Sequence, residues 1–170
     1  YQRGYLAGKN KADMFISLHS NAPGKNNASI TGTVIFYSLT KPELKTVCDK
    51  LGQAISKLMG HHFRGSQTKS LPSNSKADYY GVIRNSVQTG CKNAILIEHG
   101  FHTNVKDSNF LLVDSNLQKI AEKEAEIIAD YFGLTKKKEV KEPIISENNN
   151  IFENLDNNKT LKGQMLRMLR

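Results

Sequence analysis

Residues 94–104 read AILIEHGFHTN, so four apolar residues lead directly into the carboxylate of Glu98. Desolvating a carboxylate at the end of a buried strand is unfavourable unless a charge, a hydrogen bond or a reaction requires it there. A second short apolar run, FISL, leads in the same way into His19. An imidazole and a carboxylate brought to one place supply a metal ligand and a general base. His99 and His102 follow Glu98 closely and stand open as further ligands, although their spacing matches no metal motif. His61 and His62 come just past an expected helix end and read as solvated residues. Cys48 and Cys91 are too few for a disulfide framework or a thiolate zinc cluster and read as ordinary buried thiols, Cys48 on an apolar helix face.

The elements that must position these groups follow from periodicity. Residues 1–10 read as the last turns of a helix, with Leu6 and Ala7 on one side and Gly8, Lys9 and Asn10 as its stop. Met14 to Leu18 form a short strand running into His19, and TVIFYS is a second strand, rich in β-branched and aromatic residues. Thr40 and Glu43 have capping-box spacing, and Leu44, Val47, Cys48, Leu51, Ile55, Leu58 and Met59 keep helical spacing up to Gly60. GSQTKSLPSNSKA reads as a long polar loop and YYGVIR as a short strand or turn. AILI, between Gly90 and Gly100, suits a central strand of a parallel sheet. Ser115 and Gln118 have the spacing to cap a last helix, with Leu117, Ile120, Ala121, Ile127, Ile128, Tyr131 and Phe132 as its core face and Gly133 as its end.

Strands alternating with helices predict an α/β fold, a mostly parallel open sheet with helices on both faces. Ligands bind such sheets beyond the carboxyl ends of the strands, which is where His19 and Glu98 are expected. Residues 1–134 read as the folded domain, 135–150 as a charged and asparagine-rich linker, and 151–170 as a short basic helical segment that could begin another module.

Composition narrows the classes. The 170 residues suffice for one domain, and no run approaches the roughly 18 to 20 apolar residues of a membrane-spanning helix. The formal net charge is +8, spread as 16 Lys and Arg against 11 Asp and Glu up to residue 134 and 8 against 5 after it. Such a charge steers the chain toward anionic polymers, but basic residues are not interleaved with aromatics on a recognisable face, which argues against a nucleic-acid partner.

Taken in order along the chain, ADMFISLHSNA, GTVIFYS, SKADYYGVIRNS and IEHGFHTN resemble the type 3 zinc-dependent N-acetylmuramoyl-L-alanine amidases of bacterial cell-wall enzymes and phage endolysins, from about Gln2 to Leu134. The resemblance implies a mostly parallel sheet flanked by helices. It implies hydrolysis of the amide between N-acetylmuramic acid and L-alanine in peptidoglycan, with Zn²⁺ as cofactor, His19 as a zinc ligand and Glu98 as the carboxylate that activates the zinc-bound water. It places Asn21 and Arg84 near the substrate. The protein is then expected to be secreted, to act in the cell wall, or to be phage-encoded and released at lysis. The family's other two zinc ligands, a histidine in a glycine-flanked motif and a glutamate on the next helix, come from a segment before the matched region. The resemblance therefore implies the second half of a catalytic domain, without the first strands of the family fold. The alternative reading is a non-catalytic or truncated wall-binding fragment of such an enzyme.

Overall fold

The computed structural model describes residues 2–24 and 27–135. Helix α1 (Gln2–Lys9) is followed by strand β1 (Phe15–Asn21) and strand β2 (Thr33–Tyr37). A 3-10 turn (Pro42–Leu44) leads into α2 (Lys45–Met59), then β3 (Phe63–Gln67) and the short strands β4 (Ser70–Leu71) and β5 (Asn74–Asp78). Helix α3 (Gly81–Thr89), strand β6 (Ala94–Phe101), α4 (Val105–Leu111) and α5 (Asp114–Tyr131) complete the order. The main sheet runs β1-β6-β2-β3, and β4 and β5 form a separate antiparallel pair. Strands β1 and β6 are parallel, as are β2 and β3, while β2 meets β6 antiparallel. Two of the three pairings in the main sheet are thus parallel, in agreement with the expected fold class.

β6 is central, which explains its unbroken apolar run: Leu96 faces one layer and Ile95 and Ile97 the other, and all are buried. On one face Ile95, Ile97, Ile35 and Tyr37 pack under α2 (Val47, Cys48, Leu51, Ile55) and α5 (Ile120, Ile128). On the other, Phe15, Val34, Phe36, Ala94 and Leu96 pack under Ile83 of α3. Helix α1 reaches α3 through its glycines. A Cβ on Gly4 would lie 2.3 Å from the carbonyl oxygen of Val82, and one on Gly8 2.6 Å from that of Ser86. Gly4→Ala is therefore expected to force the two helices apart at a cost of about 1–3 kcal/mol. Thermal unfolding checks this, with Gly24→Ala, whose Cβ meets nothing within 4 Å, as the neutral control.

Several local expectations are corrected. YYGVIR is not a strand: Gly81–Thr89 is a helix, because Ile83 and Val87, four residues apart, can both bury against the sheet only in that conformation. The polar stretch 65–77 carries the end of β3 and the β4–β5 pair. Neither capping box forms: a 3-10 turn with Pro42 at its start replaces the first, and α5 begins one residue before Ser115 with no side-chain cap. Sequence reading passes over α4, which Asn104 caps by accepting hydrogen bonds from the amides of Lys106 and Asp107. The expected ends of α2 and α5 hold, with Gly60 and Gly133 at positive φ. The linker beyond Thr135 and the basic segment 151–170 lie outside the described residues.

Both cysteines are buried, and burial pushes the Cys48 thiol up to about 12. Neither thiol is expected to react with a disulfide reagent in the folded chain at pH 8; rapid colour development before denaturant is added would contradict that burial.

Candidate functional site

His19 and Glu98 are partners in the register of β1 and β6, so their side chains leave adjacent strands on the same face. With Tyr80, Gly81, Val82 and Leu96 they line a cleft of about 260 Å³ between the sheet and the start of α3. Glu98 is not the last residue of its strand, as the sequence suggests, because β6 continues to Phe101. Its Oε2 is buried and has no hydrogen-bond partner. Burial pushes its carboxyl up to about 6, and the positive charge of His99 only partly offsets this. Such a group is poised to exchange a proton near neutral pH.

His19 shares a hydrogen bond of 2.9 Å between its Nε2 and Ser17 Oγ. Burial, and then the positive charges of Arg3 and His99, hold its pKa below the ordinary histidine value. The ring is therefore neutral at pH 7 and keeps a nitrogen lone pair, the form in which histidine binds a metal. Among the described residues no group of three or more His, Cys, Asp or Glu side chains is placed to hold a metal ion.

The other histidines separate into distinct roles. Alternation along β6 turns His99 away from the cleft, onto the face covered by α5. Its Nε2 donates to Glu124 Oε1 at 2.9 Å and its Nδ1 donates to the carbonyl oxygen of His19 at 3.0 Å. With both nitrogens donating, the ring is cationic. Burial alone would lower its pKa, but the Glu124 charge and these hydrogen bonds outweigh it and hold His99 above the ordinary value. It is thus withdrawn from metal binding. His102 is exposed, with Nδ1 3.2 Å from Ser20 Oγ. His61, expected in solvent, has a side chain only 2% exposed and donates through Nδ1 to Asp107 Oδ1 at 2.9 Å. His62 is exposed, as expected.

Asn21 and Arg84 are occupied locally and do not line the cleft. Asn21 Oδ1 accepts from the amide of Ala22 at 2.8 Å. Arg84 Nη1 donates to the carbonyls of Asp78 and Tyr79, fixing the turn that delivers Tyr80 to the cleft. Gly100 lies within β6, past the apolar run it was expected to bound, and a Cβ there would meet Asp107 Oδ2 at 2.9 Å. Gly100 is needed because the Asp107 carboxylate packs onto its backbone.

A sequence profile described as N-acetylmuramoyl-L-alanine amidase matches residues 1–130. The chain belongs to the N-acetylmuramoyl-L-alanine amidase family. Among solved structures, Cwp6 from Clostridium difficile is similar at 27% identity with a TM-score of 0.64, over 76% of this chain and 19% of that one. An N-acetylmuramoyl-L-alanine amidase from Clostridium difficile 630 is similar at 25% identity and TM-score 0.62, over 78% of this chain and 64% of that one. The catalytic domain of CwlV, an N-acetylmuramoyl-L-alanine amidase from Bacillus (Paenibacillus) polymyxa var. colistinus, shares the fold at 23% identity and TM-score 0.61, over 79% of this chain and 65% of that one. The chain thus spans less than two thirds of the length of these structures. Comparison with curated protein sequences gives no match.

Within this amidase-family chain, two groups escaped sequence reading, one lining the cleft and one behind the sheet. Tyr80 was hidden by reading its segment as a short strand or turn rather than as the start of a helix. Its ring packs at a tilt against Phe36 with the centroids 4.6 Å apart, and its phenol is pushed up to about 12 by burial and then by the negative charge of Glu98, so it stays protonated. Glu124 left a legible signal: it lies four residues from both Ile120 and Ile128, so a carboxylate interrupts the apolar stripe of α5.

Proposed function

We propose that this chain contributes one metal ligand, His19, and the general base, Glu98, to a zinc-dependent amidase centre that cleaves the amide between N-acetylmuramic acid and L-alanine in peptidoglycan. The observation that supports this most is the pairing of a neutral imidazole with an unpartnered, buried carboxylate oxygen at one cleft, in a chain of the amidase family. The donors suit zinc in kind, since a neutral imidazole nitrogen is among its usual ligands. They do not suffice in number. A catalytic zinc site takes three protein ligands and a water, and the described residues provide His19 for one of them. The remaining ligands are proposed to lie outside the described residues.

Bound zinc supplies acidification of a water and polarisation of the amide carbonyl. The chain's own residues do the rest. Glu98, with its raised pKa, takes a proton from the attacking water and returns it to the leaving amine of L-alanine. Leu96 and Val82 line the cleft with apolar surface, which limits the water around that transfer. Arg84 shapes the cleft by holding the Tyr79 and Asp78 carbonyls, while a substrate-binding role for Asn21 and Arg84 rests on the family resemblance. The charge of +8 favours approach to an anionic wall polymer. Among the described residues no helix is long and apolar enough to cross a membrane, and action at the cell wall, by a secreted or a phage-encoded protein, is part of the same proposal.

The test is zinc content by elemental analysis of the 170-residue chain, alongside release of muropeptide amino groups from purified cell walls with and without added Zn²⁺. Zinc-dependent release of new L-alanine amino termini supports the proposal. Full release in the presence of a chelator removes zinc from it. A chain that binds walls without cleaving them supports the wall-binding alternative.

A further inference from the structure

The register of β1 against β6 breaks immediately after the His19–Glu98 pair: the next matched residues are Asn21 and Phe101. His99 and Gly100 of β6 therefore stand opposite Ser20 alone, which makes a β-bulge. A bulge leaves main-chain groups without ladder partners, and buried ones are costly if unpaired. Here side chains take them. The His19 carbonyl accepts from His99 Nδ1 at 3.0 Å, the His99 carbonyl accepts from Thr33 Oγ1 at 2.7 Å, and the Phe101 amide donates to Asp107 Oδ2 at 2.9 Å. His99 is itself anchored to Glu124 on α5, and the two side chains are 6% and 0% exposed. The pair thus ties the backbone of one cleft residue, His19, to the helix behind the sheet, through the residue that directly follows the other, Glu98.

We propose that the buried His99–Glu124 pair is a positioning device, which holds the bulge after Glu98 and so aims His19 and Glu98 into the same cleft. Its functional meaning rests on the reading of that cleft as the reaction site; its structural content does not. A buried ion pair is seldom the cheapest way to fill such a space, since well-packed apolar residues of similar volume often serve stability as well or better. The pair therefore invites an explanation in specificity of conformation rather than in stability.

That difference supplies the experiment. The full chain carrying His99→Leu together with Glu124→Leu is compared with the wild type by thermal unfolding and by nuclear Overhauser contacts from the His19 ring to the methyl groups of Leu96, which lines the same cleft. The expected result is a melting midpoint retained within about 3 °C and loss of the His19–Leu96 contacts. Glu124→Gln, which keeps an acceptor oxygen for His99, is expected to preserve them. Unchanged His19–Leu96 contacts in the double variant overturn the proposal. Should that variant not fold, His99→Gln, whose single amide nitrogen cannot span both partners, is read in the same way: contacts weakened at least twofold support the proposal, and wild-type contacts overturn it. In cell-wall hydrolysis the folded double variant is expected to lose kcat by tenfold or more with KM nearly unchanged, a split that a uniform loss of folded protein does not mimic in active-site-normalised rates. If the wild-type chain with Zn²⁺ binds walls but hydrolyses nothing, the wall-binding alternative replaces the amidase proposal, while the contacts to His19 still decide the positioning role.

Discussion

Glu98→Gln is expected to lower cell-wall amide hydrolysis by about 10²–10⁴-fold, the range a positioned general base contributes, while making the metal-free chain more stable. The two effects have one cause. The carboxylate is held where burial raises its pKa to about 6 and where Oε2 has no partner, so at pH 7.5 the fold bears the cost of an ionised group it does not compensate. A rise from 4.5 to about 6 corresponds to about 2 kcal/mol for a fully buried group, and partial exposure reduces this to about 1 kcal/mol. The variant should therefore melt a few degrees above the wild type in chelator-treated samples. The sign with pH follows. Because the folded-state pKa is the higher one, the wild type gains the Glu98 contribution as pH falls through about 6 toward 4.5 and loses it as pH rises again, and the glutamine variant lacks this dependence. Differential scanning calorimetry at pH 5 and pH 7.5 reads both arms. Retained turnover would remove Glu98 from the chemistry, and a lowered midpoint would show that the native fold compensates its charge.

Asp107→Ala is expected to destabilise the fold more than Gly4→Ala does. Asp107 is 1% exposed and serves three donors at once: His61 Nδ1 at 2.9 Å, Thr31 Oγ1 at 2.7 Å and the Phe101 amide at 2.9 Å. His61 Nε2 in turn lies 2.9 Å from Thr33 Oγ1, whose own proton goes to the His99 carbonyl. Removing the carboxylate leaves three donors, the Phe101 amide among them, without their buried acceptor, a loss of about 3–5 kcal/mol, or roughly 10 °C in midpoint for a domain of this size. Asp107→Asn, which keeps the shape and an acceptor oxygen, should cost less. Burial by itself would raise the Asp107 pKa, but the hydrogen bonds from Phe101, His61 and Thr31 outweigh it and hold the carboxyl below its usual range. Its contribution is therefore fully present above pH ~4 and is lost as pH falls further. A cost for Asp107→Ala under about 1 kcal/mol, by chemical denaturation at pH 7, would mean that water enters the cluster and satisfies its members.

How much of this was legible depended on the range of the signal. Strands β1, β2 and β6 and helices α2 and α5 were readable because each carries its own apolar period, and the glycines at positions 60 and 133 end their helices by a local backbone preference. Helix α3 was misread because Val82 and Ile83 favour strands in isolation, and only burial under the sheet overrides that preference. The β4–β5 pair, Asn74 to Asp78 included, has no apolar alternation to announce it. At the site, two apolar runs ending in His19 and Glu98 suggested that the two residues would meet, and adjacent parallel strands in register bring them to one cleft. Sequence alone thus determined which side chains are available for acid, base and ligand chemistry, and on which strands they sit. Tertiary structure decided which of the histidines remain free for that chemistry. His61 and His99 look as eligible as His19 along the chain, but their carboxylate partners lie 46 and 25 residues away, and a buried imidazole is neutralised or charged, offered or withdrawn, by whichever group folding places within about 3 Å of its nitrogens.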